Sequence, residues 1–203
     1  MGFGWLMVGY FFAFVVSLYS PLAMAMLVGY PLMIIGLRML APYHKRLKIA
    51  FFSSFASLPF ALYFGVDAFA KVGMIQPVFK ASLSATMEWV YFVFSFLFTA
   101  WLLYALASLC AELALIRLQT TALRNLLILA FTFLLDLVAR LPFGFIQSIS
   151  MYVGLPLLLL RFIILFLNLY LFFGCYRYIC PEGTEDAGLY VLDDLTPKEK
   201  NKK

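Results

Sequence analysis

This sequence reads as an all-α, polytopic transmembrane helical bundle, and three observations lead there. Of 203 residues, 65% are hydrophobic and only 12% are charged, with a mean hydropathy of +0.99; soluble domains carry about 25% charged residues. Residues 92–103, and 157–173 apart from Arg161 and Asn168, run apolar without alternation, whereas the strands of a transmembrane barrel alternate apolar and polar positions. Hydrocarbon offers the backbone no hydrogen-bond partner, so each crossing must be a helix that satisfies itself. The expected organisation is a bundle over residues 1–174 with six spans, alternatively five, then a short polar tail over 175–203 and no soluble domain.

The first element is set by length. Residues 2–37 carry no charge, and one straight helix of that size would run to about 54 Å against a hydrocarbon core about 30 Å thick. A break is needed, and Ser20-Pro21 suits it: serine can cap and proline fits a helix start. Two spans, 3–19 and 22–39, follow from this. The alternative is one tilted span after an interfacial helix, which gives the five-span count. With no basic N-terminal region and no small-residue cleavage site, the first apolar stretch should be retained.

Arg38, His44, Lys45, Arg46 and Lys48 form the densest basic loop, interrupted by Pro42, and the positive-inside rule places it in the cytoplasm. A span over 47–66 contains Pro59 and is closed by Asp67. Over 67–84, Phe69, Val72, Ile75 and Phe79 recur at near-helical spacing and predict a helix lying on the outer interface. The span over 84–108 carries Glu88 near its start, with Trp89 and Tyr91 at one end and Trp101 and Tyr104 at the other, as headgroup belts favour. Glu112, Arg117 and Arg124 mark the cytoplasmic return. The span over 123–141 contains Asp136 and ends at Arg140 and Pro142; the last, over 151–174, contains Arg161 and Asn168.

Four Lys or Arg residues fall in the first inner loop, two in the second and five at or beyond Arg177, against three outside, Lys71, Lys80 and Arg140. The tail is therefore expected in the cytoplasm of a bacterial cell, with the protein in its plasma membrane; the N-terminus is inside with six spans and outside with five. The net charge of +5 does not point to nucleic acid, because the basic residues are parcelled between apolar stretches and form no stripe.

Chemistry is constrained mainly by what is missing. One histidine and three cysteines, Cys110, Cys175 and Cys180, give no metal-ligand spacing and no disulfide framework. There is no Gly-x-Ser-x-Gly elbow, no His-Glu-x-x-His and no phosphate loop. Neither catalysis nor a cofactor nor a bound metal is expected.

The intramembrane ionisable residues carry the most information, since a charge at the bilayer centre costs about 2.5–3.5 kcal/mol on insertion scales. Glu88, Asp136, Arg161 and Asn168, with Gln147 as a lesser member, can wall a polar pocket open to the outside and bind a solute. The plainer reading pairs Asp136 with Arg140, one helical turn on, and makes Arg161 a buried strut, with Asp136 its favoured partner and Glu88 its second. Proline positions 21, 31, 59 and 156 are candidate helix breaks or kinks. Val28-Gly29-Tyr30-Pro31-Leu32 and Val153-Gly154-Leu155-Pro156-Leu157 share a Val-Gly-x-Pro-Leu pattern, which reads either as paired broken helices of a transporter or, more simply, as two helix starts or kinks. Ser53, Ser57 and Ala61 recur every four residues and predict close helix contact.

The function these features imply is a small transport component or permease-type subunit. Its size, six spans and internal termini are those of compact permease subunits of bacterial transporters, an analogy at the level of fold. The alternative is a non-catalytic accessory protein that docks other membrane or cytoplasmic subunits through the basic loop and tail. Transport requires the charged residues to share a water-filled cavity, whereas the accessory role lets them pair in a dry interior.

Overall fold

The computed structural model describes residues 2–76, 81–141 and 144–179, and statements about structure concern these. All regular elements among them are helical: α1 (Gly2–Tyr10), α2 (Met26–Leu40), α3 (Lys45–Ser54), α4 (Leu58–Lys71), α5 (Ala81–Glu112), α6 (Ile116–Arg140) and α7 (Gly144–Tyr178), with short π and 3-10 turns between them. Five stretches, Leu22–Leu40, Lys45–Lys71, Leu83–Glu112, Ile116–Arg140 and Gly154–Tyr178, are long and apolar enough to cross a membrane. The chain is an all-α membrane protein.

The apolar N-terminal run Gly2–Leu18 is shorter. It extends α1 through a π turn at Phe11–Val15 and a 3-10 turn at Val16–Leu18. The chain then reverses at Tyr19, whose extended backbone (φ −86°, ψ 111°) interrupts the helical conformation before a 3-10 stretch at Ser20–Ala25 leads into α2. The reversal thus falls one residue before the expected Ser20, and Pro21 lies at the start of the new helical stretch, where its missing N–H costs nothing.

Glycines explain how closely this hairpin packs. An added Cβ would lie 2.5 Å from the Met33 nitrogen at Gly9, 2.4 Å from the Ala13 nitrogen at Gly29 and 2.6 Å from the Leu6 nitrogen at Gly36. Backbone faces backbone, which only glycine permits. These pairings run antiparallel, so Gly2 lies beside Leu40 and the two ends of α2 match the two ends of the N-terminal run.

Lys45–Lys71 is one crossing built from α3, a 3-10 turn at Phe55–Ser57 and α4. Pro59 sits at the start of α4, so the irregular turn absorbs the proline. Of the break or kink expected at Pro31 and Pro156, a break is not found, since α2 and α7 continue through them. Transmembrane helices tolerate such prolines because neighbouring helices and local adjustments satisfy the freed carbonyls. The expected interfacial helix is also corrected. Phe69 belongs to α4, which closes at Lys71 and is followed by Gly73 in the left-handed region (φ 81°), a common helix-terminating conformation. Phe79 and Lys80 lie outside the described residues.

Contacts close the helices into a ring. α1 packs on α2 and α7, α7 on α6, α6 on α5, α5 on α3, and α2 on α3 and α4. Gly2 and Tyr178 both lie at the end that carries the Arg38–Lys48 loop, since Gly4 approaches Tyr176 and Gly174 approaches Leu118. The described chain therefore traverses the bundle six times. α7 continues through Cys175, which is buried, so the helical bundle extends past 174; residues from 180 onward lie outside the described residues.

Candidate functional site

The charged side chains of the spans gather at the end of the bundle opposite the basic loop. There, a crevice of about 380 Å³ enters between the N-terminal hairpin and the ends of α4, α5, α6 and α7. Lys71, Glu88, Asp136, Arg140 and Arg161 line it, with Ser17, Tyr91, Ser95, Thr99 and Thr132 as polar neighbours and Phe92, Phe96 and Phe133 as an aromatic wall. Tyr10, at mid-length of the apolar run Gly2–Leu18, marks how deep it reaches.

Asp136 is the organising group. It is 7% exposed, and its Oδ1 accepts a hydrogen bond from Arg161 Nη2 across the α6–α7 interface. The same oxygen lies 3.6 Å from Arg140 Nε, one turn along α6. That nitrogen is buried and makes no hydrogen bond, so Arg140 is held near Asp136 by charge and not by a formed hydrogen bond. The Arg140 guanidinium also lies over the Phe92 ring, 4.5 Å from its centroid, a cation–π contact. Because α6 ends at Arg140, the Asp136–Arg161 pair sits about one turn in from that end of the helix, not at mid-membrane depth. Arg161 reaches along its helix toward the polar end, as long basic side chains in membranes do.

Glu88 is exposed on the crevice wall, with Ser84 Oγ 3.5 Å away; no ion pair of Glu88 is found among the described residues. Lys71, which sequence reasoning placed simply outside, stands on the rim and pairs with Asp67 at 2.7 Å. The Phe96 and Phe133 rings stack 3.9 Å apart and the Phe92 and Phe133 rings 4.7 Å apart, which makes one wall a flat apolar slab.

Asn168 lies apart from this cluster. It is fully buried and donates to the Tyr10 hydroxyl at 2.9 Å. Its Oδ1 accepts from Asn125 Nδ2 at 3.3 Å, and Asn125 also donates to the Leu167 carbonyl at 3.0 Å. Tyr10 belongs both to this chain of hydrogen bonds and to the crevice wall, so the buried node adjoins the crevice. Neither Tyr10 nor Asn125 stands out in the sequence. Asn125 is at least a polar residue in an apolar span, which is a usable signal; Tyr10 is one of twelve tyrosines and gives none. Gln147 has a side chain outside the described residues.

The basic loop is a different kind of site. His44 caps α3, its Nδ1 accepting from the Arg46 backbone at 3.1 Å, while its Nε2 lies 3.1 Å from Glu112. Arg46 packs over Tyr104 at 4.5 Å, and Trp101 donates to the Arg46 carbonyl at 3.4 Å. Arg38, Lys45 and Lys48 are exposed. Among the described residues no cluster of His, Cys, Asp and Glu could hold a metal. No protein-family model, curated protein or solved structure matches the chain.

Proposed function

We propose that this protein is a small transport component that binds a solute in the crevice between α5, α6, α7 and the N-terminal hairpin. The observation that carries the reading is that Lys71, Glu88, Asp136, Arg140 and Arg161, drawn from four helices, share one recess, which Lys71 lines while paired with Asp67 and Asp136 while paired with Arg161 and Arg140. Intramembrane ionisable groups gathered on a cavity are the usual mark of a solute pathway. The reading takes the positive-inside orientation, with the Arg38–Lys48 loop and the tail in the cytoplasm of a bacterium and the crevice facing outward. In it the protein performs no catalysis, and the Tyr10–Asn168–Asn125 plug closes the path toward the inner side.

Cysteine labelling in intact cells tests this, in a background without the three native cysteines. A membrane-impermeant thiol reagent should modify Ser95→Cys within the crevice and spare Thr196→Cys in the tail. Modification of the tail cysteine alone would invert the topology. Failure to modify Ser95→Cys from either side would make the interior dry and leave the accessory role as the better account.

A further inference from the structure

We infer that the ligand of this crevice carries an anionic group, which Arg140 and Arg161 receive, joined to an apolar body that lies along the Phe92, Phe96 and Phe133 wall. The inference rests on the solute-binding reading above and narrows it to a chemical class.

Charge balance is the starting point. Lys71 is matched by Asp67 at 2.7 Å, and Glu88 forms no ion pair among the described residues. About one helical turn in from the outer end of α6, two guanidinium groups converge on one carboxylate oxygen, Asp136 Oδ1. Arginine cannot shed its charge at any accessible pH, so this centre retains one excess positive charge. The excess is directed at the crevice: both arginines line it, and each has a side chain about one-third exposed (33% for Arg140, 34% for Arg161) while the Asp136 side chain is buried.

Geometry supplies the second step. The Arg140 Nε is buried 3.6 Å from Asp136 Oδ1, so what its planar donor fork offers a carboxylate or phosphate is the exposed third of the side chain that lines the crevice. Asp136 fixes the positions of the two guanidinium groups and is a positioning residue. The adjoining phenylalanines stack on one another and Arg140 lies over Phe92, so the wall offers apolar ring surface with no polar group of its own, which suits a ring or short chain and disfavours a bare inorganic ion. Glu88, on the outer part of the wall, repels anions and would oppose a second negative charge on the ligand.

The same chemistry is available from two sources, a soluble organic anion and the headgroup of an anionic lipid. The experiment uses full-length Ser95→Cys in phosphatidylcholine vesicles, with no other cysteine and with reagent on both sides. Rates with an anionic sulfonatoethyl and a cationic trimethylammonium-ethyl methanethiosulfonate are each divided by the rate with a free thiol. The anion-to-cation ratio should be roughly tenfold. Arg140→Gln should bring it toward one, Arg140→Lys should keep most of it, and Glu88→Gln should raise it. Benzoate should slow labelling and benzylammonium should not. Slowing by phosphatidylglycerol but not by benzoate would assign the anion to lipid; slowing by benzoate assigns it to a solute. A ratio at or below one, indifference to Arg140→Gln, or protection by neither anion would overturn the inference while leaving a water-filled crevice intact. No labelling by either reagent would overturn both.

Discussion

Between α1 and α2 the main chains touch, and a methyl group added at Gly9, Gly29 or Gly36 would overlap backbone atoms at 2.4–2.6 Å. Where the outer part of this hairpin faces α4, α5, α6 and α7, the helices stand far enough apart to leave about 380 Å³ between side chains. At these glycines the hairpin interface is backbone against backbone, with no room for solvent or solute. The crevice is held by an off-centre cluster of charges with one arginine nitrogen unbonded. In a bilayer, where lipid tails are as apolar as leucine, close contact is what makes helices stay together. On the proposed reading the glycine hairpin is the fixed wall, and the crevice is the surface that exchanges partners.

The largest expected effect comes from breaking the wall. Gly29→Val places branched carbon where Ala13 backbone lies and should destabilise by about 3 kcal/mol, the upper range for overpacking, because neither helix backbone can yield locally. Denaturation in mixed detergent and membrane abundance would read it. A loss no larger than that of an exposed substitution such as Val28→Ala would mean that the hairpin is loose.

Next in size is the charge cluster. Asp136→Asn leaves Arg140 and Arg161 facing each other without their carboxylate and should cost about 1–2 kcal/mol, reduced from the range for buried pairs because both arginines are about a third exposed. The double variant Asp136→Asn with Arg161→Gln should recover part of the loss, since it removes the stranded charge. The Glu88→Gln and Arg161→Gln changes should add without coupling. Strict additivity in the Asp136 series, or coupling in the Glu88 series, would reassign the partner of Arg161.

A smaller effect is expected at the plug. Tyr10→Phe removes the acceptor of Asn168 Nδ2 and should cost about 0.6 kcal/mol, the average for hydrogen bonds between transmembrane helices. Its second readout is labelling of Ser95→Cys from the basic-loop side, which should rise if Tyr10 seals the crevice floor. Unchanged labelling with the stability loss intact would leave the node a structural one.

How much of this could be read in the sequence differs between the two regions. Spans and the basic loop were legible because hydropathy and Lys/Arg placement are local signals that lipid enforces directly. The hairpin left a trace: Gly2 and Gly9, and again Gly29 and Gly36, are seven residues apart, about two helical turns, which puts each pair on one face. Asp136, Arg140, Arg161 and Glu88 were legible as costly charges. That Asn168 would join Tyr10 and Asn125 was not, because which faces meet depends on the order of helices around the ring, and no local pattern states that order. The π and 3-10 turns of the N-terminal run were hidden for the same reason, as they adjust one helix to the contour of its neighbour.

The smallest expected effect separates the two copies of the Val-Gly-x-Pro-Leu pattern. Gly29 and Gly154 occupy the same position in it, and both prolines lie inside unbroken helices. Their surroundings differ completely: a Cβ at Gly29 would lie 2.4 Å from the Ala13 nitrogen, whereas a Cβ at Gly154 would meet nothing within 4 Å. Substituting alanine at both positions therefore asks whether the pattern itself does anything. Alanine is the better helix former by about 1 kcal/mol in water, so Gly154→Ala should leave stability unchanged or raise it by about 0.5 kcal/mol, while Gly29→Ala should lower it. Opposite signs in a detergent melt would mean that the repeat is two unrelated glycines, one for packing and one without a contact to serve. A loss at Gly154 as large as that at Gly29 cannot come from crowding, and would mean that α7 bends at Gly154 and Pro156 in a conformation that alanine resists. The crevice would then have a moving wall next to Arg161, and Ser95→Cys labelling in Gly154→Ala would slow together with the loss of stability.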